Sequence, residues 1–151
     1  MSVFELLNLK RLVQNRRGRP QERPLVLLAL HNDATRAVYA YGLSANGFDV
    51  MMTGGASTAP TREAAPQPDV IVVDLPTGGD AGLARVLGRD VDTDDVPIVA
   101  LIPNLGTASC DRARQAGCAA VCLTTCTADV LASGLREVLG RAARLVRRVN
   151  R

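Results

Sequence analysis

The residues best suited to chemistry in this 151-residue sequence come just after short apolar runs. Asp74 directly follows VIVV, and Asp33 lies three residues beyond LVLLAL. If these runs are parallel strands of one open sheet, their carboxyl ends meet at one edge, where ligands of doubly wound sheets bind. Carboxylate oxygens are ligands that Mg²⁺ prefers. Asp74 is therefore the first candidate site residue, and both aspartates are weak candidates for holding a metal.

Four cysteines offer a second kind of chemistry. Cys118, Cys122 and Cys126 are spaced four residues apart, and Cys110 precedes them. This spacing is not C-x₂-C, and the single histidine, His31, lies far upstream, so the pattern disfavours a zinc site. We interpret the cysteines as reduced thiols that pack as small apolar side chains, with a redox or metal role as the alternative.

Apolar runs and helix-like segments alternate along the sequence. The runs are continuous rather than alternating, which is typical of strands buried on both faces of a parallel sheet. They occupy 25–30, 48–52, 70–73, 97–102 and 119–123. The helix-like segments occupy 33–45, 56–65, 80–88, 105–116 and 127–148. This order predicts one α/β domain with a doubly wound, five-stranded parallel sheet.

The two ends of the chain differ from its middle in charge. Residues 1–23 carry a net charge of +4, residues 24–135 carry −6 and residues 136–151 carry +5. Residues 1–23 are predicted to form a basic amphipathic helix and a linker outside the core. The domain then spans 24–140, and 141–151 is a basic extension of the last helix.

No apolar run reaches the length of a membrane span, and the N-terminus does not have the pattern of a secretory signal. We therefore expect the protein in the cytosol. The basic ends are interpreted as solvated tails, as contacts to an acidic partner, or as binding segments for nucleic acid or a membrane. Binding of single-stranded nucleic acid is disfavoured because no aromatic residue lies in a basic run.

Between residues 23 and 140 the sequence resembles the receiver domain of two-component response regulators, of the chemotaxis type. The segments that carry the resemblance are ERPLVLLAL, GFDVMMTGG, QPDVIVVDLPTGGDAG, VPIVALIP and QAGCAAVCL. The resemblance implies a (βα)₅ flavodoxin-like fold and a part in signal transduction. It also places Asp74 where the family has its phosphorylated aspartate.

The sequence departs from the family where the family holds Mg²⁺. The family has two acidic residues after its first strand. Here Leu30 and His31 stand at those positions, or His31 and Asn32 if the register slips by one residue. Asp33 lies just beyond them. Mg²⁺ usually takes one or two carboxylates together with water and phosphate oxygens, so Asp74 beside a neutral histidine makes a weak site.

Two further departures remove the groups that bind the phosphoryl oxygens. Ile102 replaces the Ser or Thr that the family has at the end of its fourth strand. Thr124 replaces the Lys that the family has at the end of its fifth strand. Phosphoryl transfer needs preorganised donors and cations, so we expect transfer to Asp74 to be slow or absent. The sequence thus indicates a degenerate receiver, or pseudo-receiver.

The expected function is that of an atypical single-domain receiver that signals through protein contacts and needs no cofactor. No output domain follows residue 151 in this sequence, and the resemblance implies a homodimer or partner face over about 105–145. An enzyme is the least expected class, because no nucleophile–base pair is apparent. One alternative is a phosphorylation-competent regulator with Asp74 as acceptor and Mg²⁺ completed by Asp33 or Asp80. Another is a basic-tailed adaptor for nucleic acid or membrane.

Overall fold

The computed structural model describes the greater part of the chain, namely residues 4–6, 23–30, 32–52, 68–75 and 96–149. Its strands are β1 (Phe4–Leu6), β2 (Leu25–Ala29), β3 (Asp49–Met52), β4 (Val70–Asp74), β5 (Ile98–Ile102) and β6 (Ala120–Leu123). Its helices are α1 (Asp33–Ala45), α2 (Thr107–Gln115) and α3 (Ala128–Val149).

The strands form one sheet in the order β1-β6-β5-β4-β2-β3. All neighbours from β3 to β6 are parallel, and β1 runs antiparallel to β6. After β2 the chain adds β3 on one side and then returns to add β4 on the other. The strand order therefore reverses between β2 and β4, and in doubly wound sheets ligands bind at the carboxyl ends beside such a reversal.

Both faces of the sheet are covered, as the continuous apolar runs predict. Alternate residues of each strand point to opposite faces, so each strand contributes to two clusters of buried side chains. One cluster lies against α1 and α3 and includes Val26, Leu28, Val72, Leu101 and Cys122. The other lies against α2 and includes Leu27, Ile71, Val73, Ile102 and Cys118. The predicted five-stranded parallel sheet is confirmed.

The prediction of an N-terminal helix is wrong for Phe4–Leu6, which form β1. Their apolar spacing fits a helix, but β6 has an open edge of unpaired backbone groups. Phe4 lies opposite Cys122 and Leu6 opposite Ala120, so β1 pairs along that edge. Tertiary pairing has overridden a local pattern, as it often does for short segments. The rest of the predicted helix and linker, up to residue 22, lies outside the described residues.

Capping side chains and glycines mark the ends of the helices. Asn32 caps α1, and its side-chain oxygen accepts a hydrogen bond from the Thr35 amide at 2.9 Å. Thr127 accepts one from the Val130 amide at 3.2 Å at the start of α3. Gly47 and Gly117 follow α1 and α2 with φ of 93° and 90°, in the left-handed region that favours glycine.

Helix α1 packs closely on the start of α3. A Cβ atom added to Gly42 would collide with the Cβ atom of Ala128, so glycine permits this approach. The Arg136 guanidinium of α3 lies 5.2 Å from the centre of the Phe48 ring and donates to the Asn46 carbonyl. These contacts hold α1 and α3 together on one face of the sheet.

The predicted basic segments join the domain at their inner ends. Arg23 donates to the Asp49 carboxylate at 2.9 Å and to the Phe48 carbonyl at 2.9 Å. Helix α3 runs without a break through 141–149, so most of the predicted extension is helical. The predicted helices at 56–65 and 80–88 and the residue Asp80 lie outside the described residues. Within the part of the chain that is described, no helix is long and apolar enough to cross a membrane.

Candidate functional site

Asp74 is the last residue of β4 and lies at the carboxyl edge of the sheet, next to the reversal in strand order. It pairs with Leu101 of β5 and is half-buried. The Leu75 amide donates to the Leu101 carbonyl at 2.9 Å, which extends the backbone pairing by one residue. The structure therefore places Asp74 at the edge where ligands of doubly wound sheets bind.

The described residues just after β2 include one carboxylate, that of Asp33, and it is engaged in an ion pair. Leu30 is buried in the core, and its carbonyl accepts a hydrogen bond from Nη1 of Arg36 at 2.7 Å. The other terminal nitrogen of Arg36 forms an ion pair with the Asp33 carboxylate. Asn32 is engaged as the α1 cap. His31 lies outside the described residues.

The strand on the other side of Asp74 ends in an aliphatic side chain. Ile102 is fully buried in the cluster that packs against α2, and it offers no hydrogen-bonding atom. Its carbonyl accepts from the Thr124 amide at 2.8 Å. Thr124 itself is exposed and comes directly after β6. Ile102 thus offers no hydroxyl, and neither residue carries a positive charge.

The donor set does not fit Mg²⁺ well. Among the described residues, no group of three or more His, Cys, Asp or Glu side chains could hold a metal ion. Mg²⁺ requires near-octahedral oxygen coordination, usually with one or two carboxylates from the protein. Asp74 could supply one, but the Asp33 carboxylate is already paired with Arg36. We derive no reaction step through a metal at this edge.

A second cluster at the same edge was not predicted from the sequence. The Sγ atoms of Cys122, at the end of β6, and Cys126, just before α3, lie 3.0 Å apart. The Tyr39 hydroxyl of α1 lies 2.7 Å from the Cys126 carbonyl, 3.1 Å from the Thr124 carbonyl and 3.8 Å from the Cys126 Sγ. The only sequence signal is the four-residue cysteine spacing, which does not show which thiols meet.

The two thiols of this cluster ionise very differently. The pKa of Cys126 is lowered to about 7, chiefly because the Cys122 thiol donates a hydrogen bond to its sulfur. The pKa of Cys122 is raised far above the ordinary range, first by that hydrogen bond and then by burial. Burial also raises the pKa of Tyr39. The pair therefore releases its first proton near neutral pH and holds the second.

The fold of this chain is that of response-regulator receiver domains. A response regulator from Thermotoga maritima matches with a TM-score of 0.67 at 18% identity, covering 78% of this chain and 98% of its own. The chemotaxis response regulator CheY4 of Vibrio cholerae matches with a TM-score of 0.67 at 16% identity, covering 77% and 98%. A sensor protein from Polaromonas sp. JS666 matches with a TM-score of 0.65 at 22% identity, covering 80% and 98%.

No protein-family model matches the sequence, and a search of curated proteins found no relative. The similarity to solved structures at these identities shows the fold alone. The receiver architecture is thus established by the order of strands and helices, while the function has to be argued from the residues at the carboxyl edge.

Proposed function

We propose that this chain is an atypical receiver domain, a pseudo-receiver of the cytosol, that transmits signals by protein contact without phosphorylation of Asp74. One observation carries the proposal. Asp74 lies between two strands whose ends turn aliphatic side chains, Leu30 and Ile102, into the core. No catalytic activity is part of this proposal.

The physical argument concerns charge at the phosphoryl group. An acyl phosphate and its transition state need cations and donors that are in place before the reaction. Buried aliphatic side chains provide neither, and the Thr124 hydroxyl carries no charge to replace an ammonium group. Asp33 is paired with Arg36, which disfavours it as a second metal ligand. The receiver shape then serves recognition instead of phosphoryl chemistry.

The proposal is tested with phosphoryl donors and a phosphoryl mimic. The wild-type protein and Asp74→Ala are incubated with acetyl phosphate and Mg²⁺, and separately with beryllofluoride and Mg²⁺. A phosphorylatable receiver domain treated in parallel is the positive control. We expect no mass adduct on the wild type and no amide chemical-shift change that Asp74→Ala removes. A stable adduct that disappears in Asp74→Ala would support the phosphorylation-competent alternative and overturn this proposal.

We propose that the contact surface is the face formed by residues 105–145 and that it joins two copies of this chain or a signalling protein. Val130 of α3 is an apolar side chain on this face that is 37% exposed. The Arg114–Asp111 and Arg141–Glu137 ion pairs lie on the same segment. Arg141 is thereby paired within α3, and Arg136 is engaged with the Asn46 carbonyl and the Phe48 ring, which disfavours their use as phosphate-binding groups.

The surface is tested by sedimentation velocity over a range of protein concentrations. We expect a dimer that Val130→Arg weakens. Val38→Arg is the matched control, because Val38 is 65% exposed on α1, outside this face. A monomer at all concentrations, or a dimer weakened only by Val38→Arg, would contradict the proposed dimer face. Binding to DNA or anionic vesicles that falls steeply with salt would instead favour the adaptor alternative.

A further inference from the structure

Two thiols lie side by side where β6 leads into α3. The Cys122 side chain is fully buried in the core cluster beneath α1 and α3, and Cys126 is half-buried at the surface above it. Their sulfur atoms are 3.0 Å apart. We propose that Cys126 and Cys122 form a peroxide-reactive pair, in which Cys126 is the site of oxidation and Cys122 closes an internal disulfide.

The sheet itself selects this pair among the spaced cysteines. Cys118 is buried in the cluster against α2, whereas Cys122 is buried in the cluster against α1 and α3. The β-sheet therefore separates Cys118 from Cys122. Cys110 lies on α2, where its thiol is 3.7 Å from the Leu105 carbonyl. Cys126 is thus the cysteine placed to react with Cys122.

The charge state of the pair supports a nucleophilic Cys126. A thiolate, not a thiol, attacks peroxides, and a hydrogen bond from Cys122 stabilises the thiolate of Cys126. The resulting pKa of Cys126, about 7, makes a substantial fraction of thiolate at neutral pH. Partial exposure gives a small hydroperoxide access to its sulfur.

The reaction balances with one hydroperoxide as the oxidant. The Cys126 thiolate attacks the peroxide, so an S–O bond forms, the O–O bond breaks, and the departing oxygen takes a proton. Cys126 becomes a sulfenic acid. The Cys122 sulfur then attacks the Cys126 sulfur, the S–S bond forms, the S–O bond breaks, and the leaving hydroxide takes the Cys122 proton as water. In total, the two thiols lose two electrons, and these electrons reduce the peroxide.

The disulfide would also change the loop that follows β6. Tyr39 lies against the carbonyls of Thr124 and Cys126, so α1 and this loop are hydrogen-bonded beside the pair. Closing the bond draws Cys126 towards the core and shifts those acceptors relative to Tyr39. This inference does not depend on the proposed function, because disulfide formation is measured on the protein alone.

The experiment oxidises the fully reduced full-length protein with hydrogen peroxide or tert-butyl hydroperoxide. We expect the number of reactive thiols, counted in denaturant, to fall from four to two. Trypsin cleaves after Arg114 and Arg136, which leaves three of the cysteines in peptide 115–136. That peptide should lose two hydrogen atoms, and its fragmentation should be suppressed only between Cys122 and Cys126.

Variants separate the two steps. Cys122→Ser should accumulate a sulfenic acid at Cys126 that dimedone captures, and Cys126→Ser should keep its thiols at the same dose. Cys118→Ala and Cys110→Ser are matched controls that should still form the disulfide. Should Cys122→Ser fail to fold, the wild-type peptide map decides alone. Four thiols that survive oxidation, a different linkage, or only disulfides between chains would overturn the inference.

Discussion

The two ends of the sheet's carboxyl edge have opposite chemical character. At the β2–β4–β5 end, Asp74 is the last residue of β4, and the neighbouring strands lead to buried aliphatic residues: Leu30 directly after β2 and Ile102 at the end of β5. At the β6 end, Cys122 and Cys126 lie 3.0 Å apart. The same architecture thus holds an aspartate beside aliphatic strand ends at one end and a coupled thiol pair at the other. The difference teaches that position at a carboxyl edge does not create chemistry unless neighbouring side chains support the reacting group.

The largest expected effect comes from giving the Asp74 end its missing groups. We expect the variant His31→Asp/Ile102→Thr/Thr124→Lys to gain Mg²⁺-dependent phosphorylation by acetyl phosphate. A single preorganised donor contributes about 10²–10³ in rate, so adduct formation in this variant should exceed the slowest rate that the assay detects by about 10²-fold, while the wild type gives no adduct. The measurement is the initial rate of adduct formation by intact mass.

Adding Asp74→Asn to that variant is the control and should abolish the gain. The variant replaces the core residue Ile102, so its folding has to be checked. Circular dichroism should show that it is folded. A folded variant without any gain would mean that the edge has lost the receiver geometry as well as the receiver side chains.

The next effect concerns the reactivity of Cys126. Its alkylation rate should follow an ionisation with a midpoint near its pKa of about 7. In Cys122→Ala the donated hydrogen bond is gone, so the midpoint should rise towards the ordinary thiol value of about 8.5 and the rate at neutral pH should fall about tenfold. Alkylation followed by peptide mass spectrometry measures this, with Cys110 as the internal reference. An unchanged midpoint in Cys122→Ala would show that Cys122 does not lower the pKa of Cys126.

Gly42→Ala should disturb the thiol end by forcing α1 away from α3. Alanine usually stabilises a helix relative to glycine, but here the added methyl group collides with Ala128. Overpacking of this kind costs about 1–3 kcal/mol in unfolding free energy. Urea unfolding measures the loss, and Ser44→Ala, at an exposed position of the same helix, is the control. A variant as stable as the wild type would mean that the two helices separate without cost.

Asn32→Ala tests whether Asn32, which lies just after β2, stabilises the fold by capping α1. Losing the cap of α1 should lower the unfolding free energy by about 1 kcal/mol. Asn32→Asp keeps an acceptor for the Thr35 amide and should leave stability nearly unchanged. Equal losses in both variants would argue against capping as the reason for Asn32.

The smallest expected effect is a pH dependence of stability that arises from the thiol pair. Because the folded pKa of Cys126, about 7, lies below the unfolded value, its contribution is present above the unfolded pKa and is lost as pH falls through about 7. The raised pKa of Cys122 acts in the opposite sense, and its contribution is lost as pH rises above the unfolded value of about 8.5. Unfolding free energy should therefore rise from about pH 7 to about pH 8.5 and then fall.

Urea unfolding at a series of pH values measures this dependence. In Cys122→Ala the pair is broken, so the maximum should flatten. If the unfolding free energy of that variant passes through the same maximum with pH, the pH dependence arises from other groups.

The sequence was sufficient to predict most of the fold. Continuous apolar runs identified five parallel strands, and the helix-like segment predicted over 33–45 is α1, Asp33–Ala45. These features depend on residues that are close along the chain, so they can be predicted from the sequence. Strand β1 escaped prediction because Phe4–Leu6 pair with residues more than a hundred positions away.

The candidate site was predicted only in part. The resemblance placed Asp74, Leu30 and Ile102 at strand ends; in the structure Asp74 and Ile102 are the last residues of β4 and β5, and Leu30 directly follows β2. It did not reveal that Arg36 pairs with Asp33, because that contact depends on the geometry of the first turn of α1.

The sequence by itself determined which residue types stand at each strand end, including the aliphatic Leu30 and Ile102 on the strands beside Asp74. Only the tertiary structure decided which thiols meet. The cysteines are evenly spaced, but strand pleating puts Cys118 and Cys122 on opposite faces of the sheet, and the turn after β6 returns Cys126 to Cys122. A hydrogen bond that shifts a pKa depends on distances of a few ångströms, which spacing along the chain does not fix.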